Sequence, residues 1–217
     1  MESNFLILAI TALSIGVFHT LTGPDHYVPF VAMSKTRSWS IRKTINIVII
    51  CGLGHVLSSV LIGFIGIGAG ILLSHIEFVE GIRGNIAAWL LMLFGLSYVA
   101  WAVYRLLIRK GHHHHRELEK NDKRTMTFWI LFTIFIFGPC EPLIPILMYP
   151  AAQNNYLEVM GIAGIFTLAT VGTMIISVLL VLRGLSLVKM HILEKYQHIL
   201  AGSAITLCGA GILFLGL

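Results

Sequence analysis

Six apolar runs, most of them long enough to cross a bilayer, leave this 217-residue chain little room for anything but a membrane protein. They lie at about 4 to 33, 44 to 73, 84 to 108, 126 to 149, 158 to 182 and 196 to 217. Composition agrees: 57% of residues are hydrophobic and 12% charged, against the roughly 25% charge of a soluble domain. A separate soluble catalytic head is thereby excluded. The opening residues lack a basic n-region and a small-residue cleavage site, so they are expected to form the first span rather than a removed signal.

A net charge of +5 would suit nucleic acid, but the placement of the charges gives another reason for it. Fourteen of the 15 Lys and Arg residues fall in the connections after spans one, three and five; Arg83, between spans two and three, is the exception. This bias predicts that the odd-numbered connections face the cytoplasm and that both termini lie outside. Nucleic acid is not an expected partner; the lipid bilayer is.

The first and fourth runs are interrupted. Gly23-Pro-Asp-His26 breaks one and Gly138-Pro-Cys-Glu-Pro142 the other, and each is followed by an apolar stretch containing a further proline. Each interrupted run heads a set of three. The expected fold class is therefore all-α integral membrane, with six transmembrane helices as a 3+3 inverted repeat whose first and fourth helices are broken. The units are 1–108, a His-rich cytoplasmic loop at 109–125, and 126–217. The competing reading is two ordinary proline kinks.

Proline removes an N–H and frees carbonyls of the preceding turn, so each break should face protein or a water-filled cavity. Asp25 and Glu141, just after the prolines, would be favoured as anions by the half-helix starts. His19 and His26 flank Asp25, and His55 stands in the second span one turn from Ser58 and Ser59. With no Lys or Arg in these spans, a bound cation or a proton is the natural partner of the buried acids. Imidazole and carboxylate, with the Cys140 thiolate, make a ligand set for borderline first-row metals. The candidate metal ligands are thus His19, Asp25, His26, His55, Cys140 and Glu141. Polar contacts between helices or a proton relay are the alternatives. His112, His113, His114 and His115, in the charged loop, would gather metal ions near the pore unless they are an engineered tag.

The other cysteines, Cys51 and Cys208, sit in apolar surroundings and no C-x-x-C occurs, so a disulfide framework is not expected. No phosphate-binding G-x-x-x-x-G-K-[ST] stretch and no H-E-x-x-H motif is present. Neither ATP-driven pumping nor zinc-protease chemistry is predicted, and the chain is not expected to be an enzyme.

The stretches F-H-T-L-T-G-P-D-H, C-G-L-G-H-V-L-S-S-V and G-P-C-E-P resemble the NicO and UreH-like nickel/cobalt transporters. These form part of a LysE-type six-span superfamily that also holds sulfite exporters, amino-acid exporters and thiol-transporting cytochrome-biogenesis proteins. The resemblance implies a multi-pass protein of the inner (plasma) membrane. It would move Ni or Co, with Zn as a third candidate, as a secondary transporter working by alternating access. His19, Asp25, His26 and His55 would hold the transported ion, and no cofactor would be permanently bound. For uptake, a urease or metal-chaperone partner follows. The alternatives are an exporter of a small anion such as sulfite or an amino acid, and a transmembrane thiol-redox carrier. The thiol relatives carry a Cys in each broken helix, whereas here Asp25 and His26 stand in the first, and this ranks the thiol reading below metal transport.

Overall fold

The computed structural model describes residues 2–68, 73–108, 122–138, 140, 142–153, 155–187 and 196–216. Among them are eight α-helices and no strand: α1 (Glu2–Thr22), α2 (Val28–Thr36), α3 (Ile41–Gly68), α4 (Leu73–Ile108), α5 (Asp122–Phe137), α6 (Leu143–Ala152), α7 (Tyr156–Leu187) and α8 (Gln197–Leu215). A 3₁₀ turn, Pro24–His26, links α1 to α2.

Five of these helices, α1, α3, α4, α7 and α8, are long and apolar enough to cross a membrane. The protein is a multi-pass membrane protein. Its outward surface bears large apolar side chains from every long helix, among them Leu6, Phe18, Leu61, Leu93, Leu168 and Leu207, as contact with lipid requires. The fourth apolar run is two short helices, α5 and α6, on either side of the interruption at 138–142. The apolar part of α5 covers Met126–Phe137 and α6 covers Leu143–Ala152, each short of the ~20 residues a crossing needs. The third run begins earlier than its apolar composition suggests, because α4 reaches back to Leu73 and takes in Glu80 and Arg83.

Small residues let the long helices approach until their backbones touch. A Cβ added to Gly95 on α4 would lie 2.8 Å from the Gly202 carbonyl on α8, and one added to Gly209 would lie 2.6 Å from the Met92 nitrogen. In lipid, where apolar burial drives helices together only weakly, such close van der Waals contact is what holds a pair. α1 lies along α7 in the same way, with Gly16 against Ala169 and the Phe166 carbonyl. The interior forms two packed clusters. One gathers Phe30, Met33, Cys51, Leu131, Phe135 and Met174. The other gathers Ala12, Val56, Cys140, Leu143, Ile162 and Phe166. On α3, His55 stands between Cys51 of the first and Val56 of the second, and the two helix breaks meet at that level.

Candidate site at the two helix breaks

The first break starts where Pro24 can offer no N–H. Gly23 ends α1 with its N–H on the His19 carbonyl at 3.0 Å, and its own carbonyl accepts the His26 N–H at 3.1 Å. This tight turn carries the His26 ring back over Gly23, whose missing Cβ would lie 2.6 Å from His26 Nδ1. At the second break, Gly138 closes α5 onto Ile134, and a Cβ there would lie 2.9 Å from His55 Nδ1. Each interruption therefore presses a glycine against an imidazole. The physical reason is close approach, since any larger residue would displace the ring.

Three imidazoles from two segments converge. The His19 and His26 ring centroids are 4.7 Å apart, His26 and His55 5.1 Å, and His19 and His55 6.4 Å. The His55 Nδ1–H donates to the Phe135 carbonyl at 3.2 Å, an acceptor that fixes the proton on Nδ1. The His26 Nδ1–H donates to the Gly23 carbonyl and to Asp25 Oδ1, both at 3.2 Å. In both residues Nε2 is left as a lone pair, and the Nε2 atoms of His19, His26 and His55 are all buried with no hydrogen-bond partner. Anchored Nδ1 and bare Nε2 is the arrangement that orients a histidine as a base or a ligand.

Cys140 completes the group. Its thiol and one nitrogen from each of His19 and His55 lie within 4.8 Å of one another. Its backbone N–H donates to Ser59 Oγ and to Glu80 Oε2, both at 3.2 Å. Glu80, fully buried, also accepts from Ser59 and pairs with Arg83. The Arg83 guanidinium donates in turn to Ser58 Oγ at 2.7 Å and to the Ile136 carbonyl at 2.6 Å, a carbonyl of the last turn of α5. A cavity of about 380 Å³ opens onto the group, lined by His19, Thr22, Asp25, His26, His55 and Asn85 among others. Asp25 faces it with 29% of its side chain exposed.

Of the residues expected to bind a metal, His19, His55 and Cys140 share one group. His26 packs its ring against both histidines, and Asp25 orients His26. Glu141 and His112 to His115 lie outside the described residues. Two further groups of this network are not singled out by the apolar pattern: Arg83 sits inside the bundle and neutralises the buried Glu80. By the apolar pattern Arg83 falls in the connection between spans two and three, whereas both residues lie within α4. Their three-residue spacing, one helical turn, was the available signal.

The family model for the cytochrome c biogenesis protein transmembrane region matches residues 26–212. The chain belongs to this family. Its match spans most of the chain, whereas the resemblance to nickel/cobalt transporters rested on three short stretches; that assignment is corrected, and the family is one of thiol-redox carriers. It favours the thiol alternative over nickel or cobalt transport. No curated protein and no solved structure matches the chain.

Proposed function

We propose that this protein is a transmembrane thiol-redox carrier in which Cys140 is the working thiol and His19 and His55 are its proton acceptors. The observation that carries this reading is the placement of the Cys140 thiol beside a nitrogen of each histidine, all within 4.8 Å, at the junction of two helix breaks. Family membership supports it independently. An imidazole beside a thiol takes its proton and leaves the nucleophilic thiolate, the arrangement that activates cysteine generally. The Nε2 lone pair that His55 keeps while its Nδ1–H is held by the Phe135 carbonyl suits that role.

The three cysteines of the chain are free, and Cys51 and Cys208 belong to the other packed cluster. The step is therefore a one-cysteine exchange. The Cys140 thiolate attacks one sulfur of a substrate disulfide, a mixed disulfide forms, and the second substrate sulfur leaves as a thiolate that takes a proton from imidazolium. A thiol from a small molecule or a partner protein then attacks the mixed disulfide, restoring Cys140 and carrying away the new disulfide. Six passes arranged as an inverted repeat, with both termini outside, complete the proposal. Its support is the pair of equivalent breaks and the one-sided Lys and Arg distribution.

Reaction of the membrane-embedded protein with a small aromatic disulfide tests this. Wild type should form one reducible adduct at Cys140, and His55→Ala should form it at least about tenfold more slowly. A Cys140 that reacts no faster than Cys51 or Cys208 would end the proposal.

A second reading is favoured by the bare Nε2 atoms themselves. Two imidazoles and a thiolate, with the His55 ring fixed through Nδ1, are ligands for a thiophilic transition-metal ion. Addition of Co²⁺ to purified protein would then give a thiolate-to-metal absorption band, lost in Cys140→Ser. Absence of the band leaves thiol exchange alone.

A further inference from the structure

A second concentration of unusual polar groups lies far along α2, at the end of the bundle formed by the turn from α2 to α3, the last turns of α4 and the start of α8. The turn is tight: Ser38 takes a left-handed φ of 51°, and the Trp39 N–H reaches back to the Ser34 carbonyl at 3.0 Å. This folds the Trp39 indole inward, 8% exposed, into the cluster that also holds Tyr98 and Ala201. Its Nε1–H finds no acceptor. Neither does the buried Nε–H of Arg37, two residues earlier.

Buried donors are nearly always satisfied, because an unmet one forfeits its bond to water with nothing in return, so two from one turn call for an acceptor supplied from outside the chain. The surroundings say what charge it carries. Lys43 Nζ lies 5.6 Å from the Trp39 ring centre. Across the cluster, Tyr98 Oη is bonded to His198 Nδ1 at 2.8 Å, His198 packs against Trp101, and the Arg105 guanidinium lies 5.0 Å from the centre of the Trp101 ring. Arg37 and Arg105 both act electrostatically on His198. Meanwhile α2, α3, α8 and all of α4 beyond Arg83 contain no Asp or Glu. Cations and unmet donors converge there without an anion from these helices.

We propose that this end of the bundle binds a phosphate group, with Trp39 Nε1 and Arg37 Nε as donors and Lys43 and Arg105 as supporting charge. The tetrahedral, multiply accepting phosphate suits several donors at different angles, and its position at the ends of the spans is the level of lipid headgroups. The same chemistry is offered by a phosphomonoester lipid and by free phosphate.

The test compares phosphatidic acid with diacylglycerol of the same chains, added to the full protein in neutral detergent, with retention read by native mass spectrometry. Phosphatidic acid should be retained and diacylglycerol not. Arg37→Gln should weaken retention about tenfold and Trp39→Phe, which deletes only the indole N–H and its ring, about threefold. Should Arg37→Gln fail to fold, the exposed Arg105→Gln gives a smaller loss in the same direction. Displacement of the lipid by millimolar inorganic phosphate assigns the site to soluble phosphate; retention in its presence assigns it to the headgroup. Equal retention of the two lipids without protection by phosphate, or unaltered retention in Arg37→Gln and Arg105→Gln, overturns the proposal.

Discussion

The two helix breaks begin with the same Gly-Pro pair and are held in opposite ways. At the first, the charged side chain among the described residues is Asp25, partly exposed to the cavity and bonded to His26, so the break is closed by groups that exchange protons. At the second, Arg83 is inserted against the end of α5 and donates to the Ile136 carbonyl, while Glu80 receives the Cys140 N–H. A guanidinium keeps its charge at any working pH. One interruption is thus adjustable and the other is clamped, and Cys140 stands on the clamped side facing imidazoles from α1 and α3. The lesson is that a backbone broken inside a membrane can be satisfied either by a permanent ion pair or by titratable rings, and that a reactive group is best placed where the two meet.

The sharpest way to break this comparison is Arg83→Ala, which leaves Glu80 buried and uncompensated. The expected loss is about 3–5 kcal/mol, read as a large fall in thermal stability in detergent. The double substitution Arg83→Gln with Glu80→Gln should recover a good part of it. A fall no larger than that of an exposed charge such as Arg42→Ala would show that the clamp is not one. Next in size are Gly138→Ala and Gly23→Ala. The added Cβ would lie 2.9 Å from His55 in the first and 2.6 Å from His26 in the second. Both rings must move, and alkylation of Cys140 should slow about tenfold in Gly138→Ala but less in Gly23→Ala, since His55 and not His26 shares the thiol's group. Equal effects would erase the distinction between the breaks. Ser59→Ala should cost about 1 kcal/mol of stability, because Glu80 and the Cys140 N–H still hold each other. The smallest effect belongs to Thr22→Val. Its hydroxyl bonds back within α1, to the Phe18 carbonyl at 2.9 Å and the His19 carbonyl at 3.3 Å, so its loss should shift stability by less than about 1 kcal/mol, and a larger shift would point to a role in the cavity.

Much of this was legible in the chain. The breaks at Gly23 and Gly138 followed from Gly-Pro within apolar runs, and His19, His55 and Cys140, which the structure brings together, were candidates because ionisable groups are expensive in lipid. Glu80 and Arg83 were not legible as interior residues, because hydropathy treats a charge as the end of a span and does not register that two opposite charges one helical turn apart can enter together. The family was also missed: short motifs around histidines pointed to metal transport, while the match over 26–212 lies in the layout of the whole chain.

What the sequence determined by itself is the class of molecule and the positions of its interruptions, since apolar length and the missing N–H of proline act locally and need no partner. The meeting of α1, α3, α4 and α5 around one thiol was decided only in three dimensions. Glycine seams such as Gly95 against Gly202 set how closely helices pack, and that approach fixes which side chains from distant segments share a site.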